Sequence, residues 1–221
     1  MMKKNGFTLA EVLITLAIIG VVATLTLPSL MTNTAEQQAI TSFKKIMNTL
    51  NEAGQMNSAL EGFDYSISDR GTDIDDHIEN GVESLISLFN ERLQVSREAS
   101  GGYGDGDHCS ADPVLVLRDG TAICLSEADA TFNEEDGEYW TIWVDTNAQK
   151  GPNKESTCAE EGCTTKSSRS IHDQFPVTLS KGIAVPGHWS GYETENDNDE
   201  PSFAARYAMG IGKRAQAQEG G

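Results

Sequence analysis

The chain opens with MMKKNGFTLAEVLITLAIIGVVATLTLPSL (residues 1–30), and this stretch decides the fold. Two lysines precede an apolar run from Phe7 to about Leu27, in which Glu11 is the one charged residue. At a rise of about 1.5 Å per residue, a helix of this length crosses the hydrocarbon core of a bilayer. The lysines place the amino end in the cytoplasm by the positive-inside rule. The sequence therefore predicts a single-pass anchor, with the rest of the chain outside the cytoplasm.

Three simpler interpretations compete for this apolar segment. A cleaved secretory signal has a shorter apolar core and small residues at its cleavage site, and no obvious A-x-A pattern occurs here. A helix that is apolar on every face suits a protein core, but the start of a chain is an unusual place for one. A plain signal anchor explains the length and the lysines. It leaves Glu11 unexplained, because a carboxylate in hydrocarbon costs about 2.5 kcal/mol or more.

The residues around Glu11 are similar to a known processing signal. The cleavage and methylation signal of type IV prepilins and type II secretion pseudopilins resembles the six residues Gly6-Phe7-Thr8-Leu9-Ala10-Glu11. The resemblance implies that a prepilin peptidase cuts after Gly6 and methylates Phe7. The cut leaves a cationic amine on Phe7, and the Glu11 carboxylate of a neighbouring subunit can neutralise that amine inside a filament core.

Two helix-weakening residues fit the same resemblance. Gly20 lies inside the apolar run and Pro28 at its end, and each lowers helix propensity. In pilins similar to this chain, the helix loosens between such positions on entering the filament, so both residues are assigned to assembly. Pro28 is equally typical of an ordinary kink or helix break at the membrane exit.

The resemblance and the hydrophobic pattern together predict an α+β, pilin-like fold. A long amino-terminal helix would pack on a small antiparallel β-sheet head that carries a second helix. Apolar residues at three- and four-residue steps predict that the first helix continues beyond the membrane as an amphipathic helix. Its apolar face comprises Ile40, Phe43, Met47, Leu50 and Ala53. The predicted divisions are a leader (1–6), a membrane-spanning, polymerising half-helix (7–30), an amphipathic half-helix (31–62), a globular head (63–186) and a polar, loose carboxy-terminal tail (187–221).

Local patterns also place elements within the head. A periodic apolar face predicts a second helix over residues 73–95. That face comprises Ile74, Ile78, Val82, Leu85 and Phe89. Asp119-Gly120, between the apolar runs 114–118 and 121–125, predicts a tight hairpin. Residues 139–144 and 177–179 are expected to add strands.

Charge and cysteine content narrow the partners and the compartment. The chain has 34 acidic and 16 basic residues, a formal net charge of −18, so its surface repels nucleic acid and no nucleic-acid partner is expected. Four cysteines fit two disulfides in an oxidising compartment. A zinc site with nearby histidines competes, but the spacing misses the usual two-residue knuckle. Four cysteines allow three pairings, and proximity in the sequence favours Cys109 with Cys124 and Cys158 with Cys163.

One polar segment of the head suggests a cation site. DTNAQKGPN (residues 145–153) is similar to a segment found in many pilin-like heads, and the family's heads sometimes bind calcium in this region. Calcium prefers oxygen ligands, and Asp145, Asn147 and Asp173 are the candidates. The competing interpretation is a turn in which the Asp and Asn side chains accept hydrogen bonds from their own backbone.

The function indicated by these patterns is structural. The sequence has no G-x-S-x-G, P-loop, H-E-x-x-H or dinucleotide fingerprint, so no enzyme activity is expected, and its four histidines are expected to lie at the surface. The resemblance implies a subunit of a type II secretion pseudopilus or, alternatively, a major or minor subunit of a type IV pilus. Its implied partners are copies of itself, other pilin-like subunits, the prepilin peptidase and an inner-membrane assembly platform. Its implied location is the cytoplasmic membrane and then a periplasmic or extracellular filament.

Two other functions remain open at this stage. A ligand-binding ectodomain on a plain signal anchor would make the motif a coincidence, and it predicts an uncleaved amino end. Adhesion by the head would add a binding function to the filament, with Trp189 and Tyr192 as candidate contacts. Lone aromatic residues near a chain end more often cover the edge of a core.

Overall fold

The computed structural model describes most of the chain. The described residues are 7–61, 64–65, 74–99, 102, 106–126, 128–133, 139–159, 163, 165–188 and 200–211. The chain divides into two units, residues 1–38 and residues 39–221. One helix, α1 (Leu9–Glu61), runs through the end of the first unit and the beginning of the second.

The first unit consists of the apolar part of α1. The span Leu9–Leu27 is long and apolar enough to cross a membrane, and none of it is buried. The helix continues without a break past Gly20 and Pro28 to Glu61. The helix break considered for Pro28 is therefore absent here, and the side chain of Pro28 lies outside the described part of the structure.

The second half of α1 supplies one wall of the core of the second unit. All five residues of the predicted apolar face, Ile40 to Ala53, are buried, which confirms the amphipathic pattern. A second helix, α2 (Ile74–Arg92), follows. Val82, Leu85 and Phe89 are buried as predicted, whereas the side chains of Ile74 and Ile78 lie outside the described residues.

An antiparallel sheet forms the rest of the head, which confirms the predicted α+β layout. Its strands lie in the order β1-β2-β3-β5-β8-β9, and β4 pairs with β5. A separate two-stranded ribbon is formed by β6 and β7. The strand bounds are β1 (Val95–Ala99), β2 (Val114–Leu117), β3 (Ala122–Cys124), β4 (Thr131–Asn133), β5 (Tyr139–Asp145), β6 (Thr157–Cys158), β7 (Arg169–Ser170), β8 (Gln174–Ser180) and β9 (Ile183–Pro186).

The predicted hairpin is present, with a loop one residue longer than the tight turn expected. Strands β2 and β3 pair antiparallel, and Leu117 N–H donates to the Thr121 carbonyl at 2.8 Å. Gly120 N–H donates back to the Leu117 carbonyl at 3.1 Å, and Gly120 has a φ of 90°. A three-residue loop that ends in a left-handed glycine is the next most common hairpin connection, so the Asp-Gly signal located the turn but not its length.

Alternation along the strands divides the buried residues into two clusters on opposite faces of the sheet. The larger cluster packs against the helices. Within it, the Phe43 ring of α1 stacks on the Phe175 ring of β8, with ring centroids 4.3 Å apart. The smaller cluster centres on Trp143 and the buried Cys109 and Cys124. Its other members are Val114, Val116, Ala122 and Ala148.

The expectation of a loose carboxy-terminal tail is wrong for residues 200–209. These residues form α3 (Glu200–Met209), which packs on β6, β8 and β9. Gly210, with a φ of 81°, ends the helix, because Gly210 N–H donates to the Tyr207 carbonyl and Ile211 N–H to the Arg206 carbonyl. Five buried α3 residues belong to the larger core cluster through small or aromatic side chains: Phe203, Ala204, Ala205, Tyr207 and Ala208.

The edge strand β9 is closed by α1. Ala184 N–H donates to Asn51 Oδ1 at 2.9 Å, and Asn51 Nδ2 donates to the Ala184 carbonyl at 3.3 Å. The same side chain thus satisfies both backbone groups of Ala184, which limits pairing of this edge with another strand. Beside it, Gly54 of α1 lies so close to Gly182 that a Cβ at position 54 would meet the Gly182 carbonyl oxygen.

We expect Gly54→Ala to lower the free energy of unfolding by about 1–3 kcal/mol, because the added methyl overpacks a contact that includes backbone. A Cβ there would also lie 2.6 Å from Tyr65 Cε2. Denaturant unfolding of the detergent-solubilised chain measures the change. Gly151→Ala is the matched control, since its Cβ would meet nothing closer than 3.9 Å. A gain of about 1 kcal/mol from Gly54→Ala, as helix propensity alone gives, would contradict this packing.

Candidate functional site

The amino end of α1 is a capping box built from Thr8 and Glu11. The Thr8 amide and hydroxyl both donate to Glu11 Oε2 at 2.8 Å, and Glu11 N–H donates to Thr8 Oγ1 at 3.3 Å. The pattern T-x-x-E is a known helix start, because the two side chains satisfy amides that have no partner in the first turn. Sequence reasoning gave Glu11 a role between subunits and missed this local role for Thr8.

The helix that follows this capping box has a surface of unburied apolar side chains. Phe7 is 91% exposed and Leu9 80% exposed. The carboxylate of Glu11 is exposed as well, and its described partners are on its own helix end. Gly6, the predicted cleavage position, lies outside the described residues. The described geometry therefore presents Phe7, Glu11 and the apolar surface together, all available to a membrane or to another subunit.

In the head, the fold brings the three predicted cation ligands together. Asp145 ends β5, and its Oδ1 accepts from Asn147 N–H at 2.9 Å. Asn147 Nδ2 donates to Asp173 Oδ2 at 3.0 Å, although the two residues are 26 positions apart. Asp173 also accepts from the backbone amides of Asn153 and Lys154, at 3.0 and 2.8 Å. These bonds are those of the competing interpretation, a turn organised by its own Asp and Asn side chains.

The electrostatics of this aspartate cluster are unusual for a simple turn. Burial, together with the negative charge of Asp173, raises the pKa of Asp145 to about 7, against the opposing effect of hydrogen bonds from Asn147 and Gln174. Three side-chain oxygens of the adjoining loop are buried and have no hydrogen-bond partner among the described residues: Thr146 Oγ1, Asn147 Oδ1 and Asn153 Oδ1. Within the described ranges, however, no group of three or more His, Cys, Asp or Glu side chains is placed to hold a metal ion.

Both disulfides have the pairing that sequence proximity favours. Cys109 is bonded to Cys124, and Cys158 to Cys163. Cysteines in disulfides cannot serve as zinc thiolates, so the zinc interpretation has lost its sulfur ligands. The candidate adhesion residues Trp189 and Tyr192 lie outside the described residues.

Comparison with known proteins bears on the amino end. Residues 1–27 match the family model described as the prokaryotic N-terminal methylation motif. The chain carries a prepilin-type methylation motif. The motif supports a pilin-type subunit, anchored in a membrane, processed by a prepilin peptidase and assembled into pilin-type filaments. Proteins with this motif are structural subunits rather than enzymes.

No curated protein and no solved structure matches the chain. The family match ends at residue 27, before the head begins. The properties of the head therefore follow from its own structure alone.

Proposed function

We propose that this pilin-type subunit belongs to a type II secretion pseudopilus, is cut after Gly6 and methylated at Phe7, and polymerises through its apolar helix. One observation carries the proposal: the methylation motif begins a helix whose predominantly apolar span of 19 residues, Leu9–Leu27, is unburied in the described structure. Leaving such a surface in water is unfavourable by about 25 cal/mol per Å². The helix is therefore suited first to a bilayer and then to a filament core.

Glu11 supplies the register of that assembly. In the single subunit its carboxylate is held by Thr8, so the charge is partly compensated before a partner arrives. After cleavage, the cationic amine of Phe7 in a neighbouring subunit is a stronger partner, because it adds Coulomb attraction between opposite charges, which the neutral Thr8 donors lack. When the Glu11 carboxylate exchanges Thr8 for the Phe7 amine of its neighbour, the position of one subunit along the filament is fixed relative to the next.

The secretion filament is preferred to a pilus because of the head. The segment 145–153, similar to that of many pilin-like heads, is here a loop fixed by Asp145 and Asp173. A type IV pilus subunit is the alternative, with the same amino-terminal chemistry. Deletion of the gene separates the two: loss of protein secretion with pili retained supports the pseudopilus, and the converse supports the pilus.

Mass spectrometry of the chain extracted from membranes of its own host should show a mature protein that begins at Phe7 and carries one additional methyl group. The reason is that the proposed cut after Gly6 makes Phe7 the first residue and the one to be methylated, and the match of residues 1–27 to the methylation motif supports this. An intact Met1 in a host that has the peptidase would overturn the proposal, and it would favour the ectodomain on a plain signal anchor.

Glu11→Ala should leave membrane insertion intact and reduce the filament-incorporated fraction by about tenfold or more, because it removes a charged hydrogen-bond partner. Cross-linking of sheared filaments and of membranes measures the two pools. Glu52→Ala is the matched control, since Glu52 is an exposed carboxylate on the same helix. Equal incorporation of both variants would refute the role given to Glu11.

We further propose that the aspartate cluster binds calcium, with Asp145, Asn147 and Asp173 as ligands. The three unpartnered oxygens of the adjoining loop support this proposal, because buried oxygens without donors are what a hard cation takes. A dication would also offset the repulsion between the two buried carboxylates. The bound ion would hold the loop after β5 in one conformation.

Calcium at 100 times its dissociation constant should raise the free energy of unfolding by about 2.7 kcal/mol, relative to chelator. Thermal unfolding of the full chain in detergent, with calcium or chelator, measures the shift in Tm. Asp173→Asn should abolish it, whereas Asp107→Asn should keep it; Asp107 is the control because it lies in a neighbouring segment that hydrogen-bonds to Asn153 and Glu155. An identical Tm of the parent chain with calcium and with chelator would reject the site.

A further inference from the structure

His108 is not the surface residue that the sequence suggested. Its side chain is only 17% exposed, and it lies beside the disulfide-bonded Cys109. Its backbone is fixed by the buried Gln174, whose side chain accepts from His108 N–H at 3.0 Å and donates to the His108 carbonyl at 2.9 Å. The ring is therefore presented from a fixed position at the end of the sheet.

Each nitrogen of the His108 ring faces a carboxylate. Nδ1 lies 2.8 Å from Asp129 Oδ1, and Nε2 lies 3.6 Å from Glu155 Oε2. A neutral imidazole has one N–H, so one of these carboxylates would face a lone pair. An imidazolium has two N–H groups, so one can donate to Asp129 while the other points a positive charge at Glu155, at ion-pair distance. The geometry thus suits the protonated ring.

The face of the ring also suits a cation. His108 stacks on the indole of Trp143, with ring centroids 3.4 Å apart and an interplanar angle of 11°. An aromatic face attracts positive charge. The ring of His188 is T-shaped to the same indole, with ring centroids 5.6 Å apart.

Asp129 connects the ring to the backbone of the disulfide. Its second oxygen, Oδ2, accepts from Cys109 N–H at 3.0 Å and from the Ser126 hydroxyl at 2.8 Å. Cys109 has a φ of 60°, a left-handed conformation that costs a residue with a side chain about 1–2 kcal/mol. The bond from Asp129 helps to hold this conformation.

We propose that His108, Asp129, Glu155 and Trp143 form a proton-controlled latch, the His108 latch, which closes the disulfide loop over the smaller core cluster. When the ring takes up one proton from solvent, it donates to Asp129 and forms an ion pair with Glu155, and so ties together residues 106–110, residues 128–130 and Glu155. When the ring loses that proton, both ion pairs are lost and one hydrogen bond to Asp129 remains, so the loop loosens over Cys109 and Cys124. This proposal does not rest on the filament function.

The charged and titratable groups that face the latch come from four segments. Asp107 directly precedes His108 in the sequence, and its carboxylate accepts a hydrogen bond from Glu155 N–H. Asp129 and Glu155 face the ring nitrogens, and His188 lies across Trp143. Asp145 is reached only through Gln174, whose Nε2 also lies 3.3 Å from Asp145 Oδ2. Because Asp145 has its own raised pKa, the test compares variants rather than relying on one pH profile.

The two disulfides of one molecule provide an internal ratio for the test. Both are buried in the described structure, and only Cys109–Cys124 adjoins the latch. The full chain in detergent is partly reduced with a phosphine from about pH 5 to about pH 8, the range in which histidine changes charge. Differential alkylation and peptide mass spectrometry then give the reduction rate of each disulfide. The ratio of the two rates cancels the pH dependence of the reductant.

In the parent chain, the reduction rate of Cys109–Cys124 divided by that of Cys158–Cys163 should rise about tenfold with pH. The reason is that the His108 ring loses a charge-assisted interaction when it is deprotonated. His108→Gln should give the high ratio at every pH, and Glu155→Gln should flatten the rise. His172→Gln is the matched control, since its ring contacts only the Ser170 hydroxyl among described side chains, and it should keep the parent profile. A flat ratio in the parent chain, or a parent-like rise in both His108→Gln and Glu155→Gln, would overturn the latch.

Discussion

An apolar helical span that is left unburied among the described residues is the constraint on which the biology of this protein depends. The span Leu9–Leu27 is unburied throughout, yet the same helix continues into a segment with a fully buried face. Exposing such an apolar surface to water is unfavourable, so the chain requires either a bilayer or other copies of the helix. The methylation motif at the start of that span connects the requirement to a pilin-type subunit.

The second half of α1 shows how the head meets the same requirement internally. The apolar face of the helix packs on the sheet, with the stacked rings of Phe43 and Phe175 at the contact. Asn51 closes the β9 edge, and Gly54 permits a backbone approach that a side chain would block. A single helix thus serves a non-specific apolar role in one part and a closely fitted packing role in another.

Polar chemistry in the head is concentrated where β5 ends and β8 begins. Gln174 joins two networks there, since it pairs with the backbone of His108 and reaches Asp145. Buried polar groups are costly unless every member has a partner, and a loop bound by many of them is held in one arrangement. The three unpartnered oxygens next to the aspartates are the exception, and a bound cation is the proposed reason for it.

The sequence by itself determined the features that depend on neighbouring residues. The six-residue signal at Gly6–Glu11, the spacing of the α1 core face and the Asp119-Gly120 turn are local patterns, because capping, helical periodicity and turn geometry act over a few residues. The tertiary structure alone decided the burial of α3, whose alanine-rich stretch follows an acidic segment and has a weak pattern of its own. It also decided the contact of Asn147 with Asp173 and of His108 with Gln174, 26 and 66 positions apart. No local rule fixes such pairs, since the loops and strand ends that carry them meet only when the sheet is formed in register.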